Sequence, residues 1–146
     1  MAARGTRGLT MVLMLAVLTG LGACDRLPGL SGSCRGPNAQ VMRVSELFFG
    51  RSMPDGGYVG DIDWEQFLEQ QVTPRFPRGF TVLDAYGQYQ MSNGLIAREN
   101  SKMMIVAADD TADTTAKLDA IIAAYKSRFR QQAVIALERR ECVAIK

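Results

Sequence analysis

After residue 40 the chain alternates between segments rich in β-branched and aromatic residues and segments whose apolar residues recur at helical spacing. Residues 41–49 (VMRVSELFF), 80–90 (FTVLDAYGQYQ), 102–108 (KMMIVAA) and 133–145 are of the first kind, and they predict four strands. Because residues 102–108 are almost continuously apolar, we expect them to form a central strand.

Two other segments predict helices. Residues 63–72 place Trp64, Phe67 and Val72 on one face, and Asp63 is the expected N-cap. The second helix is expected to begin after the cap residue Thr111. Its apolar side is formed by Leu118, Ile121, Ile122, Tyr125 and Phe129.

The predicted element order is β-α-β-β-α-β, with a tight hairpin turn at Asn93-Gly94 between the second and third strands. This is the order of the α+β ferredoxin-like fold, in which a four-stranded antiparallel sheet in the order 4-1-3-2 carries both helices on one face. We therefore expect one ferredoxin-like domain over residues 40–146.

The first residues have the pattern of a secretory leader. Arg4 and Arg7 precede an apolar run over residues 9–18, which is too short to cross a bilayer and is typical of a signal peptide. The following LGAC, ending at Cys24, resembles the bacterial lipoprotein signal, so we expect residues 1–23 to be removed and Cys24 to receive lipid. The alternative is an ordinary signal peptide cleaved nearby, which leaves Cys24 free or disulfide-bonded.

The leader changes the charge balance of the chain. Without its two arginines the 17 Lys and Arg residues fall to 15, equal to the 15 Asp and Glu residues, so nucleic acid is not expected as a partner. Residues 24–39 are rich in Gly, Pro and Ser and predict a tether. We expect a protein anchored by lipid to a membrane of the bacterial cell envelope, on the periplasmic side, and Asp25 favours the inner membrane.

The cysteines provide a check on the topology. If Cys24 is lipidated, Cys34 and Cys142 remain as a pair in an oxidising compartment. The strand order 4-1-3-2 places the last strand beside the first, which brings Cys142 within reach of Cys34. We predict a disulfide between them, and the alternative is two free thiols.

No catalytic group is identified by the sequence. The chain contains no histidine, the commonest general base and the usual ligand of zinc, copper and haem. We therefore expect no metal and no cofactor. The glycine-rich stretch PDGGYVG lacks the spacing of a phosphate-binding loop and predicts a turn.

Polar side chains near the ends of the predicted strands are the candidates for a ligand site. In a functional interpretation, Arg51 and Arg75 hold an anionic group, which Tyr86 and Glu99 orient or exchange a proton with. In a structural interpretation, Arg75 pairs with an acid and Tyr86 packs on the uncovered face of the sheet. The candidates are Arg51, Arg75, Asp84, Tyr86 and Glu99, with Asp84 or Glu99 as the acid.

Three stretches carry a resemblance to a known family. SELFFGRSMPDGG, DWEQFLEQQVTPRFPRGFTVLDAYGQYQ and RENSK are similar to the bacterial family known as domain of unknown function 3574, whose members are often described as lipoproteins. The resemblance runs from about residue 42 to the C-terminus. It implies a small secreted domain, and it implies no activity and no catalytic residues.

One face of the predicted sheet carries no helix. Alternation places Met42, Val44 and Phe48 on one side of the first strand and Leu47 and Phe49 on the other, so both faces carry apolar residues. Because contiguous exposed apolar surface marks an interface, we expect a homodimer or a protein partner at the uncovered face.

The leading hypothesis is a membrane-tethered, non-enzymatic domain that binds or dimerises. The alternative is a small metal-free enzyme or ligand-binding domain of the dimeric ferredoxin-like type, with a pocket on the sheet face.

Overall fold

The computed structural model describes residues 34–144, and its elements follow one another in the predicted order. The predicted leader, Cys24 and the first part of the predicted tether lie outside the described residues. Helix α1 covers Asp61–Phe67 and continues as a π-helical turn, Leu68–Val72, and helix α2 covers Ala112–Phe129. The strands are β1 (Ala39–Gly50), β2 (Thr81–Gln90), β3 (Ile96–Ala108) and β4 (Ile135–Ala144).

The four strands form one antiparallel sheet in the order β2-β3-β1-β4. Val44 of β1 pairs with Ala107 of β3 on one side and with Arg139 of β4 on the other, so β1 and β3 are the central strands. The β2–β3 hairpin turns at Gly94, which has a φ of 83° and donates to the Met91 carbonyl at 2.9 Å. These features confirm the ferredoxin-like α+β prediction.

The core lies on one face of the sheet, beneath both helices. Phe49 of β1 has no exposed surface, and its ring centroid lies 5.2 Å from that of Trp64 and 4.7 Å from that of Tyr125. Since α1 supplies Trp64 and α2 supplies Tyr125, this aromatic cluster joins both helices to the centre of the sheet. The same cluster also contains Leu47, Val59, Phe67, Val72, Met104, Val106, Leu118, Ile121 and Phe129.

The helix boundaries agree with prediction for α2 and differ for α1. Thr111 caps α2, and its side-chain oxygen accepts from the Thr114 N–H at 3.2 Å. Helix α1 begins two residues earlier than predicted, after Gly60, so Asp63 lies in the first turn and is not the cap. The π-helical turn was not predicted, because the spacing of the apolar residues is compatible with both kinds of helix.

Cys34 and Cys142 form a disulfide with a Cα–Cα distance of 5.4 Å. The β1–β4 ladder pairs Val41 with Cys142, which places the end of β4 beside the chain that leads into β1. The bond confirms the pairing that the strand order predicted.

The second face of the sheet has neither α1 nor α2 packed on it. Register places Phe48, Leu83 and Leu137 on this face, and Leu83 and Leu137 are 42% and 50% exposed. This face therefore has exposed apolar side chains, but Met42 and Val44, which were expected to contribute to them, are only 5% and 7% exposed. Glu46 and Arg139 form an ion pair on the same face. The second copy or protein partner stays a prediction. Neither helix of the described residues is long and apolar enough to cross a membrane.

Candidate functional site

A cleft of about 570 Å³ opens beside the start of α1, at the end of the sheet where β1 stops. Lys102 and Asp84 lie on the same face of the sheet as the core residue Met104. The cleft is therefore on the helix-bearing face. The alternative hypothesis from the sequence expected a pocket on the uncovered face of the sheet, whereas the observed cleft is on the helix-bearing face. It is lined by Arg51, Tyr58, Asp61, Trp64, Glu65, Asp84, Ala85, Asn100, Ser101 and Lys102.

Arg51 directly follows β1 and is only 7% exposed. Its Nε donates to the Val59 carbonyl at 2.7 Å, and its Nη2 donates to Asp61 Oδ1 at 2.8 Å. The guanidinium also lies 4.5 Å from the centroid of the Tyr58 ring, a cation–π contact. Among residues 34–144, Nη1 has no hydrogen-bond partner.

The loop after Arg51 explains how these partners reach it. The Met53 N–H donates to the Gly57 carbonyl at 2.9 Å, and Gly56 turns the chain with a φ of 82°, a conformation that glycine adopts without strain. Val59 then returns to donate its N–H to the Arg51 carbonyl at 2.8 Å. The stretch PDGGYVG is therefore the predicted turn, and it carries the chain back to Arg51 just before α1 begins.

Lys102 supplies the second cation of the cleft. It lies opposite Asp84 in the β2–β3 ladder, and its Nζ is 2.5 Å from Asp84 Oδ1 and 3.2 Å from Asp61 Oδ1. The side chain of Lys102 is 12% exposed, whereas those of Asp61 and Asp84 are 71% and 79% exposed. Arg51 and Lys102 therefore lie deep in the cleft and share one oxygen of an exposed carboxylate.

These contacts raise the pKa of Lys102 and lower the pKa of Asp61. The hydrogen bond to Asp84 raises the pKa of Lys102 above its ordinary value of 10.5. The hydrogen bond from Lys102, together with the charge of Arg51, lowers the pKa of Asp61 below its ordinary value of 3.8. Lys102 and Asp61 thus stay charged over a wide range of pH.

Tyr125 of α2 supports the cleft from the core. Its hydroxyl donates to the Gly50 carbonyl at 2.9 Å, and Gly50 is the residue before Arg51. Burial raises the pKa of Tyr125, which keeps the phenol protonated as a hydrogen-bond donor. The end of β1 is therefore fixed by a bond from the second helix.

Two of the five candidate ligand residues, Arg51 and Asp84, line the cleft. Arg75 does not, because its Nη1 donates to the Gln71 carbonyl, in the preceding π-helical turn, at 2.6 Å. The ion pair of Arg75 with Asp84 or Glu99, which the structural interpretation proposed, is absent from the described residues. Arg75 closes the end of the π-helical turn.

Tyr86 and Glu99 also lie apart from the cleft lining. Tyr86 is 63% exposed and pairs with Asn100 on the helix-bearing side, so it does not pack on the uncovered face. Glu99 Oε1 accepts from the Ser52 N–H at 3.1 Å, and a Cβ on Gly50 would lie 2.6 Å from this oxygen. The structure therefore does not join these two residues with Arg51 and Arg75 in one pocket.

The sequence patterns did not group Asp61, Glu65 and Lys102 with Arg51. A near signal existed for Lys102, because counting outward from a two-residue turn at Asn93-Gly94 pairs Asp84 with Met103, the residue next to its observed partner Lys102. For Asp61 and Glu65 no such signal existed, because their approach to Arg51 depends on how the loop and α1 pack against the sheet.

Fold and cleft together define a small α+β domain with a charged cleft at one end of its sheet. The chain belongs to the family described as protein of unknown function (DUF3574), whose family model matches residues 44–145. A comparison with curated protein sequences finds no match.

Solved structures similar to the chain include a phage lyase and CutA. A phage SAM lyase in complex with S-methyl-5'-thioadenosine is 17% identical with a TM-score of 0.52, over 80% of this chain and 96% of the lyase. CutA from Synechococcus elongatus PCC7942 is 14% identical with a TM-score of 0.47, over 75% of this chain and 83% of CutA. At this identity, the likeness to the lyase shows a shared fold.

Proposed function

We propose that this protein is a lipid-anchored binding domain of the bacterial cell envelope, and that the cleft beside α1 holds a small, charged metabolite. One observation carries the binding site: Arg51 and Lys102 are almost fully buried and yet line an open cleft. A buried cation with a donor left for solvent or ligand is costly to maintain and forms strong hydrogen bonds to a charged partner.

The geometry also favours a preformed site. Arg51 is held by the Val59 carbonyl and the ring of Tyr58, and Lys102 projects from a central strand. Donors fixed in this way lose little entropy when a ligand binds, so their hydrogen bonds contribute more to affinity.

The pKa directions favour binding over acid–base catalysis. A general acid or base works best when its pKa lies near the operating pH. The contacts in the cleft instead hold the pKa of Asp61 below, and that of Lys102 above, their ordinary values. Both groups are suited to constant charge and to ion pairing.

Ligand screening tests the site. The full chain, purified in detergent, is heated with a panel of amino acids, organic acids, sugars and nucleosides, and a bound ligand raises the unfolding temperature by mass action. We expect at least one charged compound to raise it, and Arg51→Met and Lys102→Met to remove the shift. Lys117→Met, in the exposed part of α2, should retain it.

S-methyl-5'-thioadenosine, which is bound in the similar phage lyase, serves as an uncharged probe. We expect no shift from it. The absence of any stabilising compound, or equal shifts in the Arg51 and Lys102 variants, would contradict the proposed site.

The anchor is tested separately at Cys24. Supporting it are the apolar leader and the LGAC pattern that ends at this residue. We expect radiolabelled palmitate to be incorporated into the wild-type chain and not into Cys24→Ser, and only the wild type to fractionate with membranes. Release of the wild type into the soluble periplasmic fraction would contradict the anchor and leave the cleft proposal intact.

A further inference from the structure

The cleft holds five charged side chains at two depths. Arg51 and Lys102 are buried, whereas Asp61, Asp84 and Glu65 are exposed. Glu65 lies one helical turn after Asp61 on α1, and these two acids therefore share a face of the helix. Acids thus outnumber cations by one, with the cations at the bottom and the acids toward solvent.

Asp61 occupies the position that a ligand anion would take. Its Oδ1 accepts from Arg51 Nη2 at 2.8 Å and lies 3.2 Å from Lys102 Nζ. The carboxylate is 71% exposed and belongs to the first residue of α1, so it can rotate into solvent without moving the helix backbone. The two cations are buried and keep their positions.

Charge balance indicates what can replace it. An anion alone that displaced Asp61 would add a negative charge to a cleft in which the acids already outnumber the cations. A zwitterion avoids this cost, because its carboxylate takes the bonds from Arg51 and Lys102 while its ammonium group pairs with the displaced acid.

A bare metal cation does not fit the same acids. Among residues 34–144, no three acidic or cysteine side chains are close enough to hold one ion. Asp61 and Asp84 instead share the ammonium group of Lys102, at 3.2 and 2.5 Å, so these acids already hold a cation of the kind that a ligand ammonium group would supply.

We infer that the ligand of this cleft is a small zwitterion of the amino-acid class, whose carboxylate displaces Asp61 from Arg51 and Lys102 and whose ammonium group is held by the exposed acids. This inference rests on the proposed binding function of the cleft. It assigns Asp61 the role of an internal substitute for the ligand carboxylate.

The first experiment tests the ligand class. The standard L-amino acids are titrated into the full chain by calorimetry, followed by the decarboxylated and the deaminated analogue of the tightest binder. We expect measurable binding of at least one amino acid and a loss of ~10-fold or more in affinity for each analogue, the effect of one charged hydrogen bond.

The second experiment tests the displacement of Asp61. Asp61→Asn and Glu65→Gln remove the same charge from the cleft, but only Asp61 contacts the two cations. For the deaminated analogue we expect Asp61→Asn to raise affinity by ~10-fold, because the competing carboxylate is gone, and Glu65→Gln by no more than ~2-fold. Both substitutions are at exposed positions, and unfolding temperatures verify that the variants fold.

The outcomes separate the inference from the proposed function. Binding of an uncharged or singly charged compound at the cleft, without any amino acid, overturns the inference and retains the function. Two results would overturn the displacement of Asp61: equal effects of the two substitutions, or weaker binding of the deaminated analogue to Asp61→Asn than to the wild type. Absence of any ligand overturns both.

Discussion

The hydroxyl of Tyr125 donates a 2.9 Å hydrogen bond to the carbonyl of Gly50, and so links α2 to the residue before Arg51. We predict that Tyr125→Phe lowers the free energy of unfolding by about 1 kcal/mol, because the carbonyl loses its donor while the ring still packs on Phe49. Urea unfolding measures the change. Tyr89→Phe, at an exposed position of β2, is the control and should be neutral.

Phe49 and Phe48 are neighbours on opposite faces of β1. Phe49 is fully buried among aromatic rings, whereas Phe48 is half-buried on the uncovered face. We predict that Phe49→Ala lowers the free energy of unfolding by about 3–5 kcal/mol and that Phe48→Ala costs less than half of this. Equal losses in urea unfolding would show that the two faces are equally well packed, contrary to the observed burial.

Asp110 makes stability depend on acid pH. It accepts hydrogen bonds from Arg43 Nε at 2.8 Å and Arg140 Nε at 2.5 Å, and these bonds lower its pKa below 3.8. The folded protein therefore binds a proton at Asp110 more weakly than the unfolded chain does. The stabilisation is complete above pH 3.8 and is lost as the pH falls through the lower, folded pKa.

We therefore predict that the wild type loses stability below about pH 4 more steeply than Asp110→Asn does. Urea unfolding at a series of pH values measures the two slopes. Asp119→Asn, at an exposed position of α2, should keep the wild-type slope. A slope for Asp110→Asn that matches the wild type would show that the arginine contacts do not stabilise the fold.

The Cys34–Cys142 disulfide closes a long loop, with a sequence separation of 108. In the chain-entropy model such a loop stabilises the folded state by about 4 kcal/mol, and we predict a loss of this order in Cys34→Ser and on reduction of the wild type. Thiol labelling of the denatured chain should add two labels after reduction. Equal labelling before and after reduction would show that the bond is absent.

The uncovered face remains the predicted site of a second copy. Ser33–Lys146 forms one compact unit, and we expect it to be a dimer in light scattering. Leu137→Glu, on the uncovered face, should make it monomeric because it places a charge at the apolar contact. Leu95→Glu, which is 62% exposed at the hairpin turn, should not. A wild-type monomer at all concentrations would contradict the prediction.

The order of the helices and strands could be predicted from local sequence patterns, and the fold class that has this order then supplied the strand order and the disulfide. β-Branched and aromatic residues identified β1, the Asn93-Gly94 turn joined β2 to β3, and the strand order then brought Cys142 close to Cys34.

Most of the cleft could not be predicted in this way. Asp61 meets Arg51 because a ten-residue loop folds back, and it meets Lys102 because α1 begins beside the middle of β3. The predicted partner of Arg75 was wrong because its guanidinium donates to the Gln71 carbonyl in the preceding π-helical turn and not to an acid. Side-chain partners of this kind depend on tertiary packing, which a single sequence pattern does not contain.

The disulfide and the cleft lie at opposite ends of β1, and this arrangement determines how the domain carries mechanical load. A pull through the chain that precedes Cys34 reaches the start of β1 and, through the disulfide, the end of β4 as well. If a ligand or partner holds the domain near Arg51, the force runs lengthwise along the strands. Because β1 is already extended and runs from the one point to the other, its backbone bears this force directly, and the ladders are not unzipped one bond at a time.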